Sequence, residues 1–330
     1  MTIASTPVLT QPIAPTAKGA FHGTGGDLFL TWLVNSILTV LTLGIYGPWG
    51  KAKLYRYFYS NTEFAGSRFR FTGTGKEIFI GMLKAIGVFV ALFGFLIGSM
   101  LLAQSMGHAQ IGILALIPFY IALAYLSQVG LFGAMHYRFS RARYREIAFR
   151  LEGNPWEFAK EALPRLFLGA ITFGIAMPLY THWRIGKVYN NLSFGNLKFN
   201  WDADKGAYWR LALKGFFLSL ITGGIYYFFW YPKMYAFIRS HLSVGGNRFQ
   251  GEIKPEEFFL LTVTNLLLAF FTLGIALPWV MVRTMRFYLE RLELENPQLL
   301  ETALQAGPQK GSAGGEALAD AMDMGVGVGF

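Results

Sequence analysis

A four-residue phrase, Thr-x-Gly-Ile, constrains this chain more than any other feature of its sequence. Its four copies begin at Thr42, Thr172, Thr222 and Thr272. The last three copies follow one another at intervals of 50 residues, and the first stands 130 residues before the second. Each copy closes a long apolar stretch, and a basic stretch rich in Tyr and Trp follows it. One building block has therefore been used several times, with an insertion after the first copy.

Composition indicates that this building block lies in a membrane. Hydrophobic residues make up 53% of the chain and charged residues 15%, whereas a soluble domain carries about 25% charged residues. The apolar residues form runs, several of them near the roughly 20 residues that cross a bilayer as a helix. The runs cover residues 28–46, 78–102, 111–133, 166–180, 211–231 and 258–282. We expect an all-α polytopic membrane protein with about six membrane segments built from internal repeats, some of them re-entrant, and short β-hairpins at the surface.

The two ends of the chain differ in composition from the part between them. Residues 1–20 are rich in Thr, Pro and Ala, which predicts a disordered N-terminal tail. Residues 296–330 turn to Gly, Ala and Ser, which predicts a flexible C-terminal tail. The repeat-built transmembrane domain is expected over residues 21–295.

The repeated phrase predicts a break in the apolar run that it closes, because Gly tolerates unusual dihedral angles and Pro lacks a backbone donor. Two topologies agree with such a break. The runs can be kinked spans of a six-helix bundle, or each can turn at the break and return to the side it came from. In the second topology only runs 78–102 and 111–133 cross the membrane, and every basic segment stays cytoplasmic. The candidate break residues are Thr42, Gly44, Pro48, Thr172, Gly174, Pro178, Thr222, Gly224, Thr272, Gly274 and Pro278.

Charge points to lipid as a partner and away from nucleic acid. The formal net charge is +10, and many of the Lys and Arg residues stand beside apolar runs. Basic residues in that position mark the cytoplasmic side of a membrane and contact anionic lipid. Lys51, Lys53 and Arg56 form a candidate lipid-facing basic patch on an interfacial helix.

Few polar side chains interrupt the apolar runs, and they form the candidate membrane-embedded polar path. Asn35 and Asn265 occupy the same position relative to the repeated phrase, and Gln128, Lys84 and Lys214 lie inside other runs. Such groups can line the path of a small solute. The alternative is structural, since amides lock helices together and lysines reach the headgroups from inside a run.

Catalytic and metal-binding patterns are missing from the sequence. The chain contains no Cys, which excludes disulfides, thiolate metal sites and Cys nucleophiles. There is no GxSxG elbow, no His–carboxylate pair at useful spacing and no metal-ligand spacing among the five His residues. We expect no enzyme activity, no catalytic residue, no metal and no cofactor.

Several phrases in order give the chain a resemblance to a known family. They are Phe-x-Gly-Thr-Gly-x-x-x-Phe at 21–29, LTLGIYGPWGKAKLYRYFYSNTEFAGSRFRFTGTG at 41–75, and the later TFGI, TGGI and TLGI copies. Over about residues 20–295 the chain resembles the YjgN-like family of bacterial inner-membrane proteins, whose domain has no known function. The resemblance implies a polytopic helical inner-membrane protein, and it supplies no activity, ligand or catalytic residue.

Two functions fit these observations. The first is a transporter or channel for a small solute, because repeats with broken helices place binding sites between half-helices. The second is a non-catalytic membrane scaffold, a lipid-binding protein or an envelope-stress protein. The solute, the direction of transport, protein partners and a homo-oligomeric state are left open.

Overall fold

The computed structural model describes residues 16–303, and in this part of the chain ten short strands close into one antiparallel barrel. Each strand pairs with its neighbours in chain order, and β10 returns to β1 with Leu294 opposite Ala17. The strands are β1 (Thr16–Phe21), β2 (Thr62–Phe64), β3 (Ser67–Phe71), β4 (Ala142–Tyr144), β5 (Ile147–Leu151), β6 (Leu192–Phe194), β7 (Leu197–Trp201), β8 (Leu242–Val244), β9 (Asn247–Gln250) and β10 (Glu293–Glu295).

Helices connect every second pair of strands. They are α1 (Gly25–Leu41), α2 (Gly47–Asn61), α3 (Gly75–Ser105), α4 (Ala109–Gly112), α5 (Leu116–Arg141), α6 (Pro155–Ile171), α7 (Met177–Tyr189), α8 (Lys205–Ile221), α9 (Tyr227–Ser240), α10 (Pro255–Phe271) and α11 (Leu277–Leu289). A 3-10 turn (Ile113–Ala115) precedes α5, and a second one (Pro297–Glu301) follows β10.

The order strand–helix–helix–strand recurs five times around the barrel. Because the strands alternate in direction, all five helical hairpins leave from one rim of the barrel, and the tight turns between strands lie at the other rim. Four hairpins are short, with a first helix of 17 residues. The second hairpin is long, because α3 has 31 residues and α5 has 26.

This architecture corrects the expected fold class. The chain is not an all-α protein with about six membrane segments: the described residues form a closed ten-stranded barrel, and only two of their helical segments, Gly75–Ser105 and Ile113–Arg141, are long and apolar enough to cross a membrane. The runs at 28–46, 166–180, 211–231 and 258–282 were overcounted as spans: the first covers one short helix and the turn after it, and each of the other three joins parts of two short helices across a turn. The hairpins expected at the surface are strand pairs of one closed barrel. Strands of three to six residues are too short for their alternation to indicate that the hairpins pair with one another.

The repeated phrase builds the turn between the two helices of each short hairpin. In the second copy, the Thr172 hydroxyl donates to the Leu168 carbonyl at 2.7 Å and accepts the N–H of Ala176 at 3.0 Å. The Thr of the other three copies makes the same two bonds. The Gly of each copy has a positive φ, which is +89° at Gly174, as a left-handed helix cap requires. The threonine therefore terminates one helix and starts the next.

The prolines of the phrase start helices and do not kink spans. Pro48, Pro178 and Pro278 lie in the first turn of α2, α7 and α11. In this position the missing N–H costs nothing, because no carbonyl of the helix would accept it. The third copy carries Phe228 at the equivalent point of α9.

The barrel interior is apolar and closed. Its core contains one side chain from each even-numbered strand, and β10 supplies Leu294, which is fully buried. The others are Phe64, Tyr144, Phe194 and Val244. Leu300 and Ala303, which follow β10, pack against this core, while the outward positions alternate with polar residues such as Arg68 and Lys198. The barrel is thus a packed core and not a pore.

The predicted domain boundaries at 20 and 295 remain predictions, although β1 begins at Thr16 and the last 3-10 turn ends at Glu301. The rest of both predicted tails, residues 1–15 and 304–330, lies outside the described residues.

We predict that Thr172→Val destabilises the third hairpin by about 1–3 kcal/mol, because the buried Ala176 N–H loses its acceptor. Thr172→Ser keeps the hydroxyl and serves as the matched control. Hydrogen exchange at the Ala176 amide checks the prediction, since exchange should accelerate in the Val variant alone. Equal protection in both variants would contradict the proposed role of the threonine.

Candidate functional site

The four short hairpins end in exposed apolar tips. We define the hairpin tips as the x and Ile residues of the repeated phrase, which are Leu43, Ile45, Phe173, Ile175, Gly223, Ile225, Leu273 and Ile275. The side chains of Leu43, Phe173 and Leu273 are 95%, 94% and 92% exposed. In water such exposure would forfeit about 1.5–3 kcal/mol for each side chain. The tips are therefore suited to an apolar environment.

Backbone strain at the tips strengthens this conclusion. Leu43, Phe173 and Leu273 have φ of +50°, +51° and +49°, the left-handed region. An L-residue costs roughly 1–2 kcal/mol there. In the third copy Gly223 adopts φ of +59° without that cost. A bulky apolar side chain thus occupies a position where Gly would fold more easily.

The apolar surface continues from the tips along the helices. On α1 the exposed residues Leu30, Val34, Ile37 and Leu41 recur at helical spacing and form one stripe. On α10 the exposed Leu260, Leu267 and Phe271 occupy equivalent positions. The helical layer therefore presents an apolar exterior, whereas the outer surface of the barrel is polar.

Helix lengths set the depth that the hairpin tips can reach. At 1.5 Å per residue, a first helix of 17 residues is about 25 Å long and the 31 residues of α3 are about 46 Å long. The long hairpin thus extends about 20 Å beyond the hairpin tips. The hydrocarbon core of a bilayer is about 30 Å thick. When α3 and α5 cross it from the barrel side, the hairpin tips end inside it.

The two candidate asparagines occupy equivalent places inside neighbouring hairpins. Asn35 is 6% exposed, donates to the Gly50 carbonyl at 3.4 Å and thereby joins α1 to α2. Asn265 is 9% exposed and donates to the Thr284 hydroxyl of α11 at 3.1 Å. Its side-chain oxygen is buried and accepts no hydrogen bond from the described residues.

Gln128 joins two hairpins. Its side-chain oxygen accepts the Tyr180 hydroxyl at 2.6 Å, which connects α5 to α7. Lys84 and Lys214 differ from the three amides, because both are exposed on first helices. Within residues 16–303 no hydrogen bond or ion pair joins any two of the five candidate path residues, so the structure does not gather them into one site.

The candidate basic patch is held largely by intramolecular contacts. The Lys53 ammonium donates to the Tyr46 hydroxyl at 2.8 Å, and the Lys51 ammonium lies 5.5 Å from the centre of the Tyr55 ring. Arg56 donates to the Gly73 carbonyl at 2.9 Å and ties α2 to the loop before α3. A lipid-facing role for the patch stays a prediction.

Sequence reasoning missed the hairpin tips as functional candidates, although a signal was present. The x position of the phrase carries Leu, Phe, Gly and Leu. A bulky apolar residue directly before a turn glycine is costly unless its exposure is useful. It also missed the ion pairs at the hairpin bases, Glu77 with Arg141 and Glu257 with Arg291, which occupy equivalent places in the second and fifth hairpins.

The fold and the site define a membrane protein whose helical hairpins stand on a closed, water-facing barrel. The chain belongs to the family described as bacterial protein of unknown function (DUF898), whose model matches residues 16–236 and 216–321. This confirms the predicted membership of a YjgN-like family.

Its relatives include inner membrane proteins of enteric bacteria. The inner membrane protein YjgN of Escherichia coli O157:H7 is 34% identical over 151 residues, which cover 46% of this chain and 33% of the relative. YjgN of Escherichia coli K12 is 40% identical over 85 residues, 26% of this chain and 21% of the relative. The chain thus spans about a third or less of the curated relatives it matches. No solved structure matches it. Location in the bacterial inner membrane is confirmed.

We predict an energetic coupling between Gln128 and Tyr180, because their hydrogen bond joins two hairpins where water is scarce. Gln128→Leu and Tyr180→Phe should each destabilise the protein, and the double variant should cost less than their sum by about 0.6–1.7 kcal/mol. Unfolding in detergent micelles measures the cycle. Strict additivity would show that the bond contributes nothing to the fold.

Proposed function

We propose that the protein is a non-catalytic membrane protein that wedges one leaflet of the inner membrane. The observation that carries the proposal is the unequal length of its hairpins. Ten helices would occupy the leaflet next to the barrel, whereas only α3 and α5 would continue through the other leaflet. In this proposal membrane lipids are the partners. The strained backbone at the hairpin tips presents bulky apolar side chains that insert into the hydrocarbon core.

The size of the wedge follows from helix dimensions. A helix about 10 Å in diameter covers roughly 80 Å² of membrane plane. Eight additional helices therefore add about 600 Å² to one leaflet. Lipids of that leaflet must move aside, and the membrane should bend with its convex side towards the barrel.

Charge supports a cytoplasmic location for the barrel. Its turn rim and strands carry exposed or half-buried cations, among them Arg68, Arg143, Arg145, Lys198 and Arg248. The connection at 104–110, at the far end of the long hairpin, contains no Lys, Arg, Asp or Glu. This distribution agrees with the positive-inside rule, and it removes the basic external loops that six alternating spans would require.

We predict that reconstituted protein is enriched in small, highly curved vesicles when its barrel faces outward and not when the barrel faces the lumen. The two orientations are an internal control, because the same wedge fits one sign of curvature only. Fluorescence imaging of single vesicles measures protein density against vesicle size. Single Cys residues at Gln104 and Ser193 report orientation without interference, since the chain has no native Cys.

Equal enrichment in both orientations, or none in either, would contradict the wedge. As a control of depth, Cys at Leu43, Phe173 or Leu273 should resist membrane-impermeant reagents from both sides. The fluorescence of a membrane-permeant label attached to this Cys should also be quenched by lipids that are brominated near the ends of their acyl chains. Labelling of these positions from the side of Gln104 would mean that the short hairpins cross the bilayer.

A small-solute transporter or channel is the second proposal. Two observations favour it. Each hairpin helix packs against the next hairpin helix in the chain, and α11 packs against α1, so the ten hairpin helices close into a ring. The buried Asn265 oxygen also lacks a donor in the described part of the chain. The packed barrel interior requires that such a path leave sideways, above the barrel.

The transport proposal predicts that solute flux into proteoliposomes falls when Asn35 and Asn265 are both replaced by Leu. Ser140→Ala provides a control, because Ser140 is also buried and polar but lies outside the candidate path. Unaltered flux in the double variant would remove the asparagine pair as a path.

A further inference from the structure

The second helices carry a cation at one repeated position. Eleven residues after the Thr of the phrase stand Lys53, Lys233 and Arg283, with Trp183 in the remaining copy. Side chains of a helix tilt towards its N-terminus, and the N-terminus of each second helix is at the hairpin tip. A cation at this position therefore needs a partner within the hairpin layer.

Two of the three cations have such a partner in the chain. The Lys53 ammonium donates to the Tyr46 hydroxyl, 2.8 Å away. The Arg283 guanidinium donates to the Thr264 hydroxyl at 2.9 Å, across the groove between α10 and α11. Position 264 of the first helix therefore faces position 283 of the second.

In the fourth hairpin the same two positions are both lysines. Lys214 on α8 is equivalent to Thr264, and Lys233 on α9 is equivalent to Arg283. Both lysines are exposed, and neither makes a hydrogen bond, an ion pair or a ring contact with the described residues. Neither α8 nor α9 contains an Asp or a Glu.

The packing of α8 on α9 brings these lysines to one groove. A Cβ at Gly215 would stand 2.0 Å from Trp230 Cδ1, so the helices touch directly beside Lys214. The Trp230 indole N–H donates to the Leu211 carbonyl at 3.0 Å. Lys233 lies three residues after Trp230 and hence on the same side of α9. Arg210, also exposed, lies one turn below Lys214 towards the barrel.

Two facing cations without a counter-charge are unfavourable in an apolar layer, where charges interact more strongly than in water. Lys214 lies about 14 Å along α8 from its first residue. The headgroup phosphates of the barrel-side leaflet lie nearer the barrel than this depth, and a long Lys side chain inside the leaflet can extend towards them. Basic residues near a membrane attract anionic lipid.

We propose that Lys214 and Lys233 bind the phosphate group of an anionic phospholipid in the groove between α8 and α9, with Arg210 on its route from the headgroup layer. The inference rests on the proposed function to the extent that it places the short hairpins in the barrel-side leaflet. It adds a defined binding site that leaflet wedging does not require.

The test is retention of phosphatidylglycerol by the purified full chain, measured by native mass spectrometry from mixed micelles of phosphatidylglycerol and phosphatidylethanolamine. Each lysine should contribute about fivefold in affinity. Lys214→Gln with Lys233→Gln should therefore weaken retention about 30-fold. Because micelles have no bilayer leaflet that a wedge could bend, a failure here is separate from a failure of the wedge.

The matched control is Lys84→Gln with Arg283→Gln. It removes the same charge at the same two repeat positions, but from hairpins that do not adjoin each other. This control should retain phosphatidylglycerol as the wild type does. Lys214→Arg with Lys233→Arg should also retain it, because both positive charges remain, and an unchanged unfolding transition of the double Gln variant excludes misfolding as the cause of its loss.

Soluble inorganic phosphate carries the same anionic group as the lipid headgroup and is the alternative ligand of the two lysines. Titration of delipidated protein with inorganic phosphate distinguishes the two ligands. Loss of phosphate binding in the double Gln variant with unchanged lipid retention would assign the site to a soluble phosphate. Equal binding of lipid and of phosphate by the wild type and the double Gln variant would overturn the proposal.

Discussion

Pairing of the first strand with the last is the constraint on which the rest of the structure depends. Ala17 lies opposite Leu294, and Lys18 forms an ion pair with Glu293 at 2.7 Å. Without this closure, β1 and β10 would be open edges that could pair with other chains. Closure also completes the helical layer, because it brings α11 against α1, while the alternating direction of the strands sends every hairpin out of the same rim. The exposed ion pair adds little by itself, typically under 1 kcal/mol; the backbone bonds and the buried Leu294 stabilise the junction.

Local features of this fold could be predicted from the sequence, and its closure could not. The spacing of the Thr-x-Gly-Ile copies indicated a repeated block, and the Gly residues predicted the turns that the structure contains. The interval of 130 residues was harder to interpret, because the long hairpin between the first two copies lacks the phrase. Its helices need no turn at that point, since they continue to the connection at 104–110. The contact between Ala17 and Leu294 leaves no local signal, because it joins residues at opposite ends of the described chain.

The candidate site was predicted in part, and the small free energy of a hydrogen bond between buried amides explains why. Buried amides stood out in apolar runs, yet Asn35 and Gln128 are satisfied by neighbouring helices, and such bonds contribute only about 0.6–2 kcal/mol. That is enough to fix helix packing and does not require a ligand. Asn265 differs, since its oxygen remains without a donor in the described residues. The position of an amide within an apolar run does not show whether its hydrogen bonds are satisfied. Only the hydrogen-bond partners that the structure gives can show this.

The strained hairpin tips, and the two lysines that have no partner among the described residues, both fit a lipid environment. Leu43, Phe173 and Leu273 accept an unfavourable backbone so that an apolar side chain projects from the turn. Lys214 and Lys233 place two like charges on two helices that contain no Asp or Glu. The first choice would be costly in water, and the second is costly in an apolar layer, where like charges repel more strongly than in water. Beside lipid, an acyl chain offsets the first and a headgroup phosphate the second. In the proposed arrangement the lipid bilayer supplies the contacts that the described residues leave open, which is why we propose lipid as the partner of this surface.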